Sequence, residues 1–318
     1  RCHRAAGCGG GRRLYSASRH WLRLGGRWPN REYSRFVAAA GIQWHVQELG
    51  TGPDLLLLHG TGAATHSWAG LAPELAASFR VFAPDLPGHG FTDLVAGENA
   101  SLPGMAAATA ALLEEVGVRP KLVVGHSAGA AVLARMCLDG AIHPAGLVSL
   151  NGALLPFGRM TAPFFSGAAK LLAAMPAIPY LVALHATPRR TVERLLRQTG
   201  SEVSPEVVER YRSLVRAPKH VAAALRMMAN WDLEGLAREL PDLEPALYLI
   251  ACANDLAVPA AQARELAARL PGARLRLVPG LGHLGHEEDP ALFATIIREI
   301  AAELGLTEGR KPGATAAP

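Results

Sequence analysis

From about Ser34 onward, short apolar runs alternate with segments whose apolar positions recur at helical spacing. The first run, "IQWHVQEL", alternates with period two and puts Ile42, Trp44 and Val46 on one face, the pattern of a half-exposed antiparallel edge strand. The runs that follow are continuous. "DLLLLHG", "RVFAPD", "KLVVGH", "GLVSLN" and "ALYLIACAND" read as parallel strands covered on both faces. Parallel neighbours need crossovers, and helical stretches such as Ser101 to Val116 and Ala128 to Asp139 supply them. The pattern predicts an α/β chain built on a doubly wound, mostly parallel sheet.

Between Gly152 and about Leu240 the alternation stops, and helical patterns punctuated by Pro156, Pro163, Pro176, Pro179, Pro188, Pro205 and Pro218 take over. "ALYLIACAND", a helix over Pro259 to Leu270, "ARLRLVPG" and a last helix near Pro290 to Leu304 then resume it. The expected organisation is a core formed by 34–151 and 241–304, with a helical cap inserted over 152–240. A basic extension over 1–33 and a polar tail over 305–318 are expected to be disordered. The most apolar stretch, 164–187, is cut by Lys170, Pro176 and Pro179 into pieces shorter than the roughly 20 residues of a membrane span. Such pieces suit amphipathic lid helices.

Composition changes this picture little. Half of the 318 residues are apolar and 19% are charged, which supplies a buried core. The net charge of +5 would fit a nucleic-acid partner if it were spread over a face, but eight arginines, from Arg1 to Arg31, precede Glu32, the first acidic residue. Removing those eight from the 32 basic residues leaves 24 against 27 acidic ones, so nucleic acid is excluded as a partner. The functional alternative to a disordered extension is a membrane-surface contact through "WLRLGGRW", with Trp21 and Trp28 at headgroup level among arginines. Cys2, Cys8, Cys137 and Cys252 fit neither a disulfide framework nor a zinc spacing, which points to a reducing cytoplasm. No metal-binding or nucleotide-binding motif occurs, and no cofactor or metal is expected.

The chemistry centres on "LVVGHSAGAAVLARM". Ser127 lies where a buried strand hands over to a helix, and G-x-S-x-G at such a junction is a nucleophile elbow. Gly125 and Gly129 keep side chains out of a turn that projects the hydroxyl above the sheet edge, beside free N–H groups of the helix. A serine needs a base, and the base a carboxylate, in the chain order Ser, Asp, His. Asp255 and His283 each follow a predicted strand, where open α/β sheets collect their ligands. His286 is the rival base, but Gly280 and Gly282 would let the loop swing His283 over the serine. The oxyanion donors are expected to be the backbone N–H groups of Ala128 and of Thr61, with Gly62 the alternative to Thr61. His59 would fix that loop, and His89 is read as structural.

These residues resemble the α/β-hydrolase superfamily over about Ser34 to Leu304. A narrower resemblance is carried by "RWPNREYSRFV", "HGTGAATHSW", "PDLPGHGFT", "GHSAGAAVLARMCLDG", "SLNGALLPFG" and "MMANWDLEGLARELP". They are similar to the hydrolase-fold family of bacteriochlorophyll biosynthesis associated with the magnesium-chelatase step. The resemblance implies a role around magnesium insertion into protoporphyrin IX, a small apolar or tetrapyrrole substrate, association with magnesium chelatase, and a place in the cytoplasm or at its membrane face. Phe157, Met160, Phe164, Phe165, Met175, Met227, Met228 and Trp231 could line an apolar pocket for a flat macrocycle, or could simply pack the cap helices. A serine hydrolase of ester-like bonds is the expected activity. A general carboxylesterase and a non-catalytic tetrapyrrole-binding accessory protein are its alternatives. Branches of the superfamily with an aspartate nucleophile, the haloalkane dehalogenases and epoxide hydrolases, are disfavoured by Ser127.

Overall fold

In the computed structural model, which describes residues 21, 22, 24–93, 100–156, 175, 177–185 and 188–307, the strands are β1 (Ser34–Ala39), β2 (Ile42–Leu49), β3 (Asp54–Leu58), β4 (Arg80–Pro84), β5 (Leu122–His126), β6 (Gly146–Leu150), β7 (Ala246–Cys252) and β8 (Arg274–Val278). They form one sheet in the order β1-β2-β4-β3-β5-β6-β7-β8. β1, β2 and β4 pair antiparallel, and β4, β3 and β5 to β8 run parallel. The helices of the core are α1 (Leu71–Ala76), α2 (Leu102–Val116) and α3 (Ala128–Leu138). Between β6 and β7 come α4 (Ile178–His185), α5 (Arg189–Arg197), α6 (Pro205–Val215), α7 (Pro218–Ala229) and α8 (Leu233–Glu239). α9 (Ala260–Arg269), α10 (Gly285–Glu288) and α11 (Pro290–Glu303) complete the described helices.

The continuous apolar runs are explained by burial on two sides. Successive strand residues point to opposite faces, so Leu56, Leu58, Val123, Leu147 and Leu249 enter one core with α2, α3 and α9. Leu55, Leu57, Val124, Val148 and Ile250 enter the other with α1 and α11. Local chemistry sets the helix limits. Ser101 accepts from the Gly104 N–H ahead of α2, Asp289 accepts from the Leu292 N–H ahead of α11, and Pro103 and Pro290 sit in the first turns, where no intrahelical donor is lost.

Two expectations change. The "IQWHVQEL" strand is not at the edge, because β1 pairs outside it. Its polar face is covered as well: His45 and Gln47 are fully buried, and the Gln47 amide donates to the Pro29 carbonyl at 2.7 Å. Nor does disorder extend through residue 33. Trp28 is 5% exposed, donates from Nε1 to Thr65 Oγ1 at 3.0 Å and lies edge-on to Phe91 at 4.7 Å, while Trp21 packs against Phe36 and Phe91. The ring expected at a lipid headgroup is therefore spent on the core. No described helix is long and apolar enough to cross a membrane.

The close seating of α3 on β3 is testable. A Cβ on Gly129 would lie 2.1 Å from the Leu58 carbonyl oxygen and 2.8 Å from that of His59, both backbone atoms that cannot rotate away. Gly129→Ala is expected to lower unfolding stability by about 1–3 kcal/mol in urea titrations. Gly272→Ala, where a Cβ meets nothing within 4 Å, should stay within about 0.5 kcal/mol of the parent.

Candidate active site

The elbow is a strained backbone held by its neighbours. Ser127 has φ 49° and ψ −115°, a conformation that costs a non-glycine residue of order 1–3 kcal/mol. Its N–H donates to the Leu150 carbonyl at 3.0 Å, and its carbonyl accepts from the N–H groups of Ala130 and Ala153. The turn is thus tied to β6 on one side and to the first turn of α3 on the other. Ala128, directly after the serine, is the first residue of α3, where a backbone N–H has no intrahelical acceptor.

The carboxylate and imidazole expected beside it are bonded to each other. Asp255 follows β7 and is 4% exposed; its Oδ1 accepts from the N–H groups of Ala257 and Val258, both at 2.8 Å. Its Oδ2 accepts from His283 Nδ1 at 2.8 Å, which leaves Nε2 of a neutral ring as the basic nitrogen. The His283 carbonyl is held by two donors at 2.9 Å, His126 Nε2 and Asn151 Nδ2, and the rings of His126 and His283 lie 4.6 Å apart. Since His126 directly precedes Ser127, the His283 ring lies next to the elbow in space. The Ser127 hydroxyl makes no hydrogen bond to that ring among the described residues. The neighbouring Gly282 serves close approach rather than loop freedom, because a Cβ there would lie 2.2 Å from the Gly200 carbonyl oxygen.

The third part is the loop after β3. A Cβ on Gly60 would sit 3.0 Å from the Ser127 Cβ, so this backbone runs directly beside the elbow. Residues 60–63 form a turn closed by the Ala63 N–H to the Gly60 carbonyl at 3.2 Å, with Gly62 at φ 74°, the left-handed value that a type II turn demands at its third residue. His59 braces it. The Leu86 N–H donates to its Nε2 at 2.9 Å, so Nδ1 carries the proton and donates to the Gly60 carbonyl at 2.8 Å. Thr61 Oγ1 donates to Met227 Sδ at 3.3 Å, bringing α7 over the loop. Met228 is half-buried on the same helix, and Trp231 packs against the core face that holds α3. Phe157, Met160, Phe164 and Phe165 lie outside the described residues.

A strained serine after a central parallel strand, an Asp–His pair in the loops after β7 and β8 and a turn beside the serine form one arrangement, and a model of the alpha/beta hydrolase family matches residues 55–296. The chain belongs to the alpha/beta hydrolase family. Within it, the chain is 38% identical over 266 residues to the magnesium-chelatase 30 kDa subunit of Rhodobacter capsulatus, covering 83% of this chain and 93% of that one. It is 33% identical over 261 residues to the pimeloyl-acyl-carrier-protein methyl ester esterase of Aromatoleum aromaticum, covering 76% and 96%. The solved structure of an alpha/beta hydrolase fold protein from Burkholderia ambifaria superimposes with a TM-score of 0.68 at 25% identity, covering 84% of this chain and 97% of that one.

Around the hydrolase site lies a set of buried titratable groups that the motif does not announce. Burial lowers His59 to about 4, against a partial lift from Asp85. It lowers His89 and His286 to about 3 and holds His66 and His126 well below the usual range. His286, the alternative base, is fixed against Ser67 Oγ at 2.9 Å and packs on Trp68 and His126. Burial pushes Asp85 up, but its ion pair and hydrogen bond with His45 outweigh that and hold the carboxyl well below its ordinary value. Glu287 goes the other way. Burial raises it to about 7, although Ser67 Oγ and Tyr211 OH donate to its Oε1 at 2.6 and 2.7 Å. Asn151 and His126 were not singled out as supports of the base. Asn151 ends the run "GLVSLN" and His126 stands inside the elbow motif, but neither position reveals a bond to a carbonyl more than 130 residues away.

The signs of these shifts predict a pH profile. The unfolded chain protonates the five depressed histidines near pH 6.5 while the folded chain does not, so stability is complete above that value and declines as pH falls. Glu287 is opposite in sign: its contribution is complete below the unfolded carboxyl range and is lost as pH rises through about 7. Melting temperatures are therefore expected to drop between pH 7 and 5. Glu287→Gln should gain on the parent by an amount on the order of 3 kcal/mol between pH 5 and 8. A stability difference independent of pH would contradict the assignment.

Proposed function

We propose that the chain is a serine hydrolase acting on an ester-like bond of a small apolar substrate, with Ser127 as nucleophile, His283 as general base and Asp255 as the carboxylate that orients it. The observation that carries this reading is the 2.8 Å Asp255–His283 bond, which leaves Nε2 basic beside a serine held in a strained turn. In the reaction, Ser127 Oγ forms a bond to the substrate carbonyl carbon as its proton passes to His283 Nε2. The developing oxyanion is held by the N–H groups of Ala128 and Thr61, with Gly62 the alternative. Collapse breaks the bond to the leaving oxygen, which takes the proton from His283. Water, deprotonated by the same nitrogen, then releases the acid and restores the serine. The chemistry asks nothing of a cofactor.

For the substrate, the proposal follows the likeness to the magnesium-chelatase 30 kDa subunit. A tetrapyrrole near magnesium insertion into protoporphyrin IX, met in association with the chelatase in bacteriochlorophyll biosynthesis, is the class proposed. The helical interval 152–240 acts as a cap over the site, and Met227 supports this by lying fully buried against Thr61. A second reading, a tetrapyrrole-binding accessory protein without turnover, is favoured by the absence of a Ser127–His283 hydrogen bond among the described residues.

A fluorophosphonate probe is expected to label the parent and not Ser127→Ala. With a p-nitrophenyl ester, the variant should lose on the order of 10⁴-fold or more in kcat. Equal labelling of the two would overturn the serine assignment. Spectral titration with protoporphyrin IX should saturate for both proteins, since the nucleophile is not needed for binding. Absence of saturable binding by either removes the tetrapyrrole and leaves a general carboxylesterase.

A further inference from the structure

Two backbone groups specify the protonation pattern of one histidine on the insertion. His220, in α7 and 3% exposed, receives the Gly90 N–H on Nδ1 at 3.1 Å. A backbone N–H can only donate, so Nδ1 carries no proton and Nε2 carries one. That Nε2–H donates to the Gly62 carbonyl at 3.0 Å. The His220 ring also stands edge-on to His89, with centroids 5.2 Å apart. Seven residues along the same helix face, Met227 accepts from the Thr61 hydroxyl.

The contact matters because of which peptide it grips. The Gly62 carbonyl and the Ala63 N–H belong to one planar unit. Its N–H end is bonded to the Gly60 carbonyl within the turn, and its C=O end is bonded to His220. Held at both ends, this plane keeps the Ala63 N–H on the Gly60 carbonyl, and that carbonyl shares its peptide unit with the Thr61 N–H, so the His220 contact reaches the Thr61 donor through the turn bond. Released at the carbonyl end, the plane keeps, among the described residues, the 3.2 Å turn bond as its hydrogen bond.

We propose that His220 is a positioning residue for the oxyanion loop, so that the insertion between β6 and β7, and not the core alone, sets the direction of the second oxyanion donor. This rests on the serine-hydrolase reading for its chemistry, while the clamp itself is a property of the loop. A donor displaced by about 1 Å costs up to on the order of a hundredfold in rate, without weakening ground-state binding in proportion.

The test compares His220→Ala, His220→Asn and His220→Gln in the full chain. The asparagine amide reaches the position of Nδ1 and can keep only the Gly90 bond; the glutamine amide reaches that of Nε2 and can donate to the Gly62 carbonyl. Alanine and asparagine are expected to reduce kcat on a p-nitrophenyl ester and the rate of fluorophosphonate labelling by about 10- to 100-fold, with KM within about threefold. Glutamine should recover to within about threefold of the parent. Amide hydrogen exchange over Thr61 to Ala63 should be faster in the alanine and asparagine variants than in parent and glutamine. Parent rates and parent exchange in a folded His220→Ala protein overturn the proposal, as do equal losses in asparagine and glutamine variants that merely track melting temperature. If parent and Ser127→Ala label alike, the serine reading fails separately. Exchange then decides the clamp: faster exchange in His220→Ala upholds it, and unchanged exchange removes it.

Discussion

The left-handed backbone at Ser127 is the constraint around which this chain is arranged. A residue held there at a cost of order 1–3 kcal/mol stays only if the surroundings over-determine it. Three elements do so: β6 through the Leu150 carbonyl, α3 through its first turn, and the loop after β3 through backbone contact at Gly60. The first turn of α3 approaches closely because Gly125 lacks a side chain, whose Cβ would lie 2.4 Å from the Ala130 backbone nitrogen. The same closeness holds the half-buried serine beside the N–H groups that start α3.

Around that point the molecule puts polar groups in places that are costly to fill. Eight histidines and two acids of the core and its insertion are buried, and nearly all are bonded to backbone or to one another. Asp85 gathers the N–H groups of Thr65 and Phe91 together with His45, which ties β2, β4 and the loop after β3 into one unit. Glu287 does the equivalent between α10 and α6 through Tyr211. Such networks specify a unique arrangement of loops that apolar packing alone would leave free to slide.

The strands and core helices were legible in the chain because burial on two faces writes a continuous apolar run and helix limits write caps and prolines. β3, β5, β6 and β7 fall where those runs lie. β1 was not, since "SRFVAA" has neither a continuous run nor clean alternation, and its pairing depends on β2 being close. Trp28 misled for a related reason: an aromatic among arginines reads as an interface until Thr65 and Phe91, both distant in sequence, are seen to receive it. At the candidate site, the proposed Ser127, Asp255 and His283 are read from a motif and from strand ends. Asn151, His126 and His220 are not, because a side chain that bonds a remote carbonyl leaves no periodic trace.

The insertion leaves the sheet at β6 and returns at β7, and these strands are partners, with Leu150 opposite Ile250. Because the strands are parallel and Ala246 lies opposite Gly146, the insertion must cross back over the length of the strand, roughly 13 Å, before it re-enters the sheet. The excursion is no free loop, since Met227, Leu233, Leu236 and Ala237 on it are buried in the core face that holds α3. Any change to its length must therefore keep these points of attachment, and the imidazole that grips the turn after β3 is one of them.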